Sequence, residues 1–184
     1  MQSEALIDDL LRKTADISRA AEKLKEEESS ALTWRPAPDA WNISECLAHL
    51  NLYGDYYLPE IERAIHRSAT SPESSFKSGL LGGYFAKSML PKGKLNKMKT
   101  FKDKNPLNSD LELSEIDRFI DQQASLSALL RSARKVSLNK VKVKISISNL
   151  IRLKLGDTFL FYVNHMRRHM QQIERIEQAR KLRN

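Results

Sequence analysis

Apolar residues recur at helical spacing in four long stretches of the chain, and the breaks between them define its organisation. Leu6, Leu10, Ile17, Ala20, Ala21 and Leu24 mark residues 3–28 as a core-facing helix closed by a run of acids. Two tryptophans and two prolines between Leu32 and Trp41 interrupt the period and read as an ordered connection. Asn42 then offers an N-cap, Glu45 follows three residues on as its capping-box partner, and Trp41 with Cys46 has staple spacing. A second helix therefore starts near Ile43 and follows Ile43, Leu47, Leu50, Gly54, Leu58, Ile61 and Ile65 into the late sixties, with Pro59 inside it. The third, over residues 114–134, turns Ile116, Phe119, Ile120, Leu126, Leu129 and Leu130 inward. The last begins after Gly156, with Asp157 or Thr158 as its N-cap, and runs to about residue 182.

Two long connections separate the later helices. Residues 71–110 hold several Gly, Pro and Ser, with a short amphipathic stretch at 80–90; an excursion of this length is expected to be a lid or binding loop. In the next connection Val141-Lys142-Val143-Lys144-Ile145-Ser146-Ile147-Ser148 alternates strictly, a strand signal. With no second strand in view, it is expected to lie extended on the helices. The expected fold is all-α: a four-helix bundle, one domain over residues 1–184, with long connections between helices 2 and 3 and helices 3 and 4.

Composition narrows the setting. The chain has 184 residues, 41% of them hydrophobic, enough for a single core. Its lone cysteine, Cys46, cannot close an intramolecular disulfide. The N-terminal stretch is acidic and amphipathic where a secretory signal is basic and then apolar, and no run approaches the ~18 apolar residues of a membrane span. A cytoplasmic protein without a membrane span is expected. The net charge of +8 is concentrated: residues 77–104 carry eight lysines against Asp103. No basic recognition helix or interleaved aromatic platform accompanies them, which argues against nucleic acid; a basic lid would draw anionic small molecules.

The chemistry points to the last helix. His165 and His169 are four residues apart and therefore one above the other on a helix face. Tyr162, Ile173 and Ile176 continue their stripe, whereas Arg167, Arg168, Gln171, Glu174, Arg175 and Gln178 take the other side, so both imidazoles should face the core. Unpartnered imidazoles there would be costly to bury, so a shared cation or hydrogen bonds to neighbouring helices must satisfy them. His49, on the apolar face of the second helix beside Cys46 and Tyr53, can join them; His66, among Arg63, Arg67 and Ser68, reads as a solvated residue. Three imidazoles leave a position open for water, the pattern of a catalytic metal site, and nitrogen ligands suit Zn or Ni.

The run from Trp34 through Pro36, Pro38, Trp41 and Cys46 to His49, with the distant Leu155-Gly156-Asp157 and His165-x-x-x-His169-x-x-Gln172, resembles the DinB/YfiT-like superfamily across most of the chain. The resemblance implies an up-down-down-up four-helix bundle, frequently a homodimer, with a divalent metal held by His49, His165 and His169. It also implies a mixed set of activities, some relatives transferring low-molecular-weight thiols and others hydrolytic. The expected function is thus a metal-dependent hydrolase or thiol transferase acting on a small molecule, anionic or thiol-containing; the alternative is a non-catalytic metal-binding or interaction protein of the same fold. Glu45, Tyr53 and Tyr162 are the catalytic candidates, although the capping box already accounts for Glu45 and core packing would account for the tyrosines. Cys46 reads as a small core residue, Trp34 and Trp41 as packing, and Gln172 either touches the site or solvates its helix.

Overall fold

The computed structural model describes residues 1–91, 100–109 and 114–183. Lys92, Lys94, Lys97 and Lys99 of the basic excursion lie outside the described residues. The described chain is mostly helical. Its long helices are α1 (Ser3–Leu24), α3 (Ile43–His66), α5 (Ser114–Ser132) and α6 (Leu155–Lys181), with a short α2 (Ser29–Thr33) and α4 (Leu80–Ser88) between them. Contacts among the long helices close a ring, α1 on α5, α5 on α3, α3 on α6 and α6 on α1. The expected stripes meet inside it: Leu6, Leu10 and Ile17 of α1, Leu47 and Leu50 of α3, Phe119 and Leu126 of α5, and Phe159, Tyr162 and Ile173 of α6 are buried. No helix among the described residues is long and apolar enough to cross a membrane.

The alternating segment is a correction to the sequence reading. It pairs with a partner strand, so β1 (Lys142–Ile145) and β2 (Ser148–Lys154) form an antiparallel ribbon. Val143, Ile145 and Leu153 turn inward, and Tyr56 of α3 fastens the ribbon by donating to the Ile145 carbonyl at 2.9 Å.

The start of α6 is a second correction. Neither Asp157 nor Thr158 is its N-cap; Lys154 is, without a side-chain cap, because β2 runs straight into the helix. The first amides are satisfied by backbone, Leu155 N–H on Val141 O at 2.9 Å and Gly156 N–H on Leu138 O at 3.2 Å. Asp157 is thereby free to hold α4: its buried carboxylate accepts from the Ser78 hydroxyl and, at 2.9 Å, from the Gly79 amide at the head of that helix. The close approach requires Gly82, where a Cβ would come within 2.4 Å of Asp157 Oδ2. Gly156 likewise leaves room for the buried ring of Phe76, which a Cβ would meet at 2.5 Å. Phe76 is held by the chain's first residue, its N–H donating to Met1 O at 2.9 Å. Much of the excursion before Pro91 is thus docked on α6 and the N-terminus.

Candidate metal centre

α3 begins at a capping box, with Asn42 accepting from Glu45 N–H at 2.8 Å and Glu45 Oε2 from Asn42 N–H at 2.9 Å, a pairing that stabilises by about 1 kcal/mol. This fixes the first turn, and His49 emerges one turn later. His165 and His169 come from the core face of α6, as their spacing requires. The three imidazoles meet: His165 Nε2 is 3.3 Å from His49 Nε2 and 3.1 Å from His169 Nε2, and the three candidate ligand atoms all lie within 4.8 Å of one another.

Their hydrogen bonds fix two tautomers. His49 Nδ1 is 2.6 Å from the Lys104 carbonyl oxygen, which only accepts, so Nδ1 carries the proton and Nε2 the lone pair. His169 Nδ1 donates in the same way to Gln172 Oε1 at 3.1 Å. Two lone pairs therefore face His165, which when neutral has one N–H to give. Placed on Nε2, that proton answers one neighbour and leaves the other opposed; His165 Nδ1 has no partner among the described residues to fix it elsewhere. A cation between the rings removes this conflict by accepting a lone pair from each. The spacing suits it, since tetrahedral coordination at ~2.0–2.1 Å sets ligand nitrogens ~3.3 Å apart. The donor set fits a divalent metal, with Lys104 O and Gln172 as the outer partners that orient its ligands.

Burial keeps the imidazoles neutral. His49, His165 and His169 are 3%, 5% and 8% exposed, too little for water to solvate three cations. Desolvation pushes His49 down to about 4, a fall that the Lys104 carbonyl opposes and the Lys104 charge assists. Desolvation and the neighbouring His49 push His169 down to about 3, and His165 is held well below its ordinary value by burial and its two partners.

The other sequence candidates divide. The Tyr53 ring lies 5.0 Å from His49 and 4.5 Å from His165, and burial raises its phenol to about 12, so it keeps its proton. Tyr162 is buried and stacked 5.7 Å from Tyr57, its hydroxyl without a partner among the described residues. Glu45 is fully buried with both oxygens engaged: besides the cap, Oε1 accepts from Arg35 at 3.0 Å and from the Asn108 amide at 2.6 Å. Cys46 is buried beside it, and desolvation raises the thiol far from its ordinary range. His66 is exposed at the end of α3.

Three contributors escaped the sequence reading. The Trp41 ring is 4.7 Å from His49 and 5.8 Å from His169, forming a wall of the cluster and not packing alone. Phe161 stacks 5.9 Å from His165. Lys104 supplies the carbonyl on His49, delivered by a 3₁₀ turn (Lys102–Lys104) that Trp41 Nε1–H holds through Asn105 Oδ1 at 3.0 Å and Glu45 holds through Asn108. The staple position of Trp41 was the available signal; a backbone carbonyl leaves none.

The family model of the DinB superfamily matches residues 10–173, from within α1 to the last third of α6. No curated protein and no solved structure matches the chain.

Proposed function

The chain belongs to the DinB superfamily, and we propose that it is a metal-dependent enzyme whose divalent ion, Zn or Ni, is held by His49, His165 and His169. The observation that carries this reading is the pair of fixed Nε2 lone pairs converging on His165. The ring of long helices supports an up-down-down-up bundle around the site, and the superfamily resemblance supports a homodimer. When bound, the metal polarises a substrate atom or lowers the pKa of bound water or thiol. The chain's own residues do the rest: Trp41 and Phe161 wall the cluster and exclude water, Tyr53 sets a protonated phenol ring beside His49 and His165, and Lys104 and Arg168 bring positive charge near the imidazoles. Those charges favour a small anionic substrate, a thiol bearing carboxylates for a transferase or an ester for a hydrolase. Of the basic excursion, the described residues 100–109 serve as part of a lid, with Lys104 against His49.

The low exposure of all three imidazoles favours a second reading, in which the metal braces the bundle and catalyses nothing. Protein purified without an affinity tag should carry about one metal per chain. If it also turns over small thiols or generic esters, and a chelator stops it, the enzyme reading stands; metal without turnover leaves the brace, and no metal overturns both.

A further inference from the structure

Where the last turns of α3 meet the ribbon there is a cleft of about 460 Å³, lined by Arg63, Arg67, Lys140, Lys142, Lys144 and Arg152, with Glu60 the acid of its described lining. Glu60 is already paired with Arg63. The ribbon register sets Lys144 opposite Arg152 and Lys142 opposite Lys154, two like-charge pairs on its outer face. Like charges directly opposite across a ladder destabilise it. Among the described residues, no carboxylate pairs with Arg67, Lys142, Lys144 or Arg152. Arg63 and Arg67 have a structural account, since cations at the carbonyl end of a helix complement its dipole. Of the ribbon cations, Lys154 donates to the Lys77 carbonyl and lies outside the cleft, whereas Lys142, Lys144 and Arg152 have no such account and line the same concavity.

We propose that this cleft binds a polyphosphate group, two or three linked phosphates on a small molecule. Linked phosphates match the charge, and the arginines add forked donors suited to their oxygens. The size agrees with pockets for small ligands, ~300–1,000 Å³. A nucleic-acid surface would spread such charge along a face, whereas here three separate segments direct it into one hollow. The source is either a soluble ester or a lipid headgroup bearing several phosphates. The site is independent of the histidine cluster: Arg63 lies about 21 Å along α3 from His49 at 1.5 Å per residue.

Calorimetric titration with tripolyphosphate tests this. One-site binding is expected, with the Kd raised about tenfold or more in Lys144→Gln/Arg152→Gln. The pair Arg131→Gln/Lys181→Gln removes equal charge elsewhere on the surface and should change Kd by less than about twofold. His169→Gln should leave it unchanged, which separates the cleft from any metal at the histidines. In a second arm, phosphatidylcholine vesicles containing diacylglycerol pyrophosphate, whose headgroup carries two linked phosphates, should bind and be displaced by tripolyphosphate if the source is a headgroup, and fail to bind if it is a soluble ester. The proposal is overturned if tripolyphosphate does not bind, if both double variants weaken it equally, if His169→Gln abolishes it, or if a DNA duplex binds the cleft where tripolyphosphate does not.

Discussion

α3 carries two clusters of basic side chains with opposite physics. Around His49, near its start, three imidazoles are shut away from water and stay neutral, and their lone pairs point at one another. Around Arg63 and Arg67, near its end, exposed cations face an open cleft. In the first cluster burial removes charge and creates a demand for a cation. In the second, water tolerates the charge, and the unmet demand is for an anion. Interactions inside the buried cluster are little screened by salt, whereas those in the cleft weaken within a Debye length of about 8 Å at physiological ionic strength. On the two proposals, the same helix would offer a tight, proton-sensitive metal site and a weaker, salt-sensitive anion site.

The largest effect should come from removing a ligand. His49→Gln, His165→Gln and His169→Gln are each expected to lower metal affinity by about a thousandfold, more than the 10–100-fold typical of losing an outer partner. Combined substitutions should not add, because all three act on one shared site. His66→Gln, exposed on the same helix as His49, should change nothing. Competition titration with a chromogenic chelator measures this, and parental affinity in His169→Gln would show that the cluster is only core packing.

Acid should act next most strongly, and on the buried cluster alone. The folded chain holds His49 near 4 and His169 near 3, whereas an unfolded imidazole titrates near ~6.5. Below ~6.5 the unfolded chain takes up protons that the folded chain refuses, so stability is full above that pH and falls as the solution is acidified toward 4 and then 3. Chelator-treated protein should lose a few kcal/mol over that window in urea denaturation. A flat profile would mean that the imidazoles are solvated and that the contrast between the two ends of α3 is false.

What the sequence disclosed follows the same division between local and assembled features. His165 and His169 are legible because helical period alone sets both on the core face, and His49 because it lies on the apolar side of a strongly capped helix. The Lys104 carbonyl is not legible, since its role depends on a turn 55 residues away in sequence being fastened by Trp41 and Glu45. The second strand was hidden by Leu150, which stands 94% exposed where the alternation calls for a polar residue. The basic cleft was hidden because each contributing segment is unremarkable by itself; the visible excess, at residues 77–104, drew attention elsewhere. Asp157 reads locally as an N-cap, and only the strand running directly into α6 reassigns it to α4.

A smaller effect is expected at the outer partners of the imidazoles. Gln172→Ala removes the acceptor on His169 Nδ1, and Asn105→Ala releases the Trp41 contact that steadies the Lys104 turn. Each should cost ~10-fold in metal affinity, with the stoichiometry unchanged. If Gln172→Ala matched His169→Gln in severity, Gln172 would belong among the ligands and the tautomer argument would fail.

The smallest effect tests whether the cleft is held together against its own repulsion. Lys144→Glu places a carboxylate opposite Arg152 and turns a like-charge cross-strand pair into an attractive one, a change of roughly 0.2–1 kcal/mol. For a chain of this length that is a rise in Tm of about 1–4 °C, read by calorimetry at low salt and shrinking as salt is raised. The gain should be accompanied by loss of tripolyphosphate binding, because the cation that burdens the ribbon is the one that the anion needs. Stability gained with binding lost is the usual trade at a site kept for function. Should Lys144→Glu destabilise the protein at low salt, Lys144 and Arg152 do not repel one another, and the ribbon has no unmet demand for an anion to satisfy.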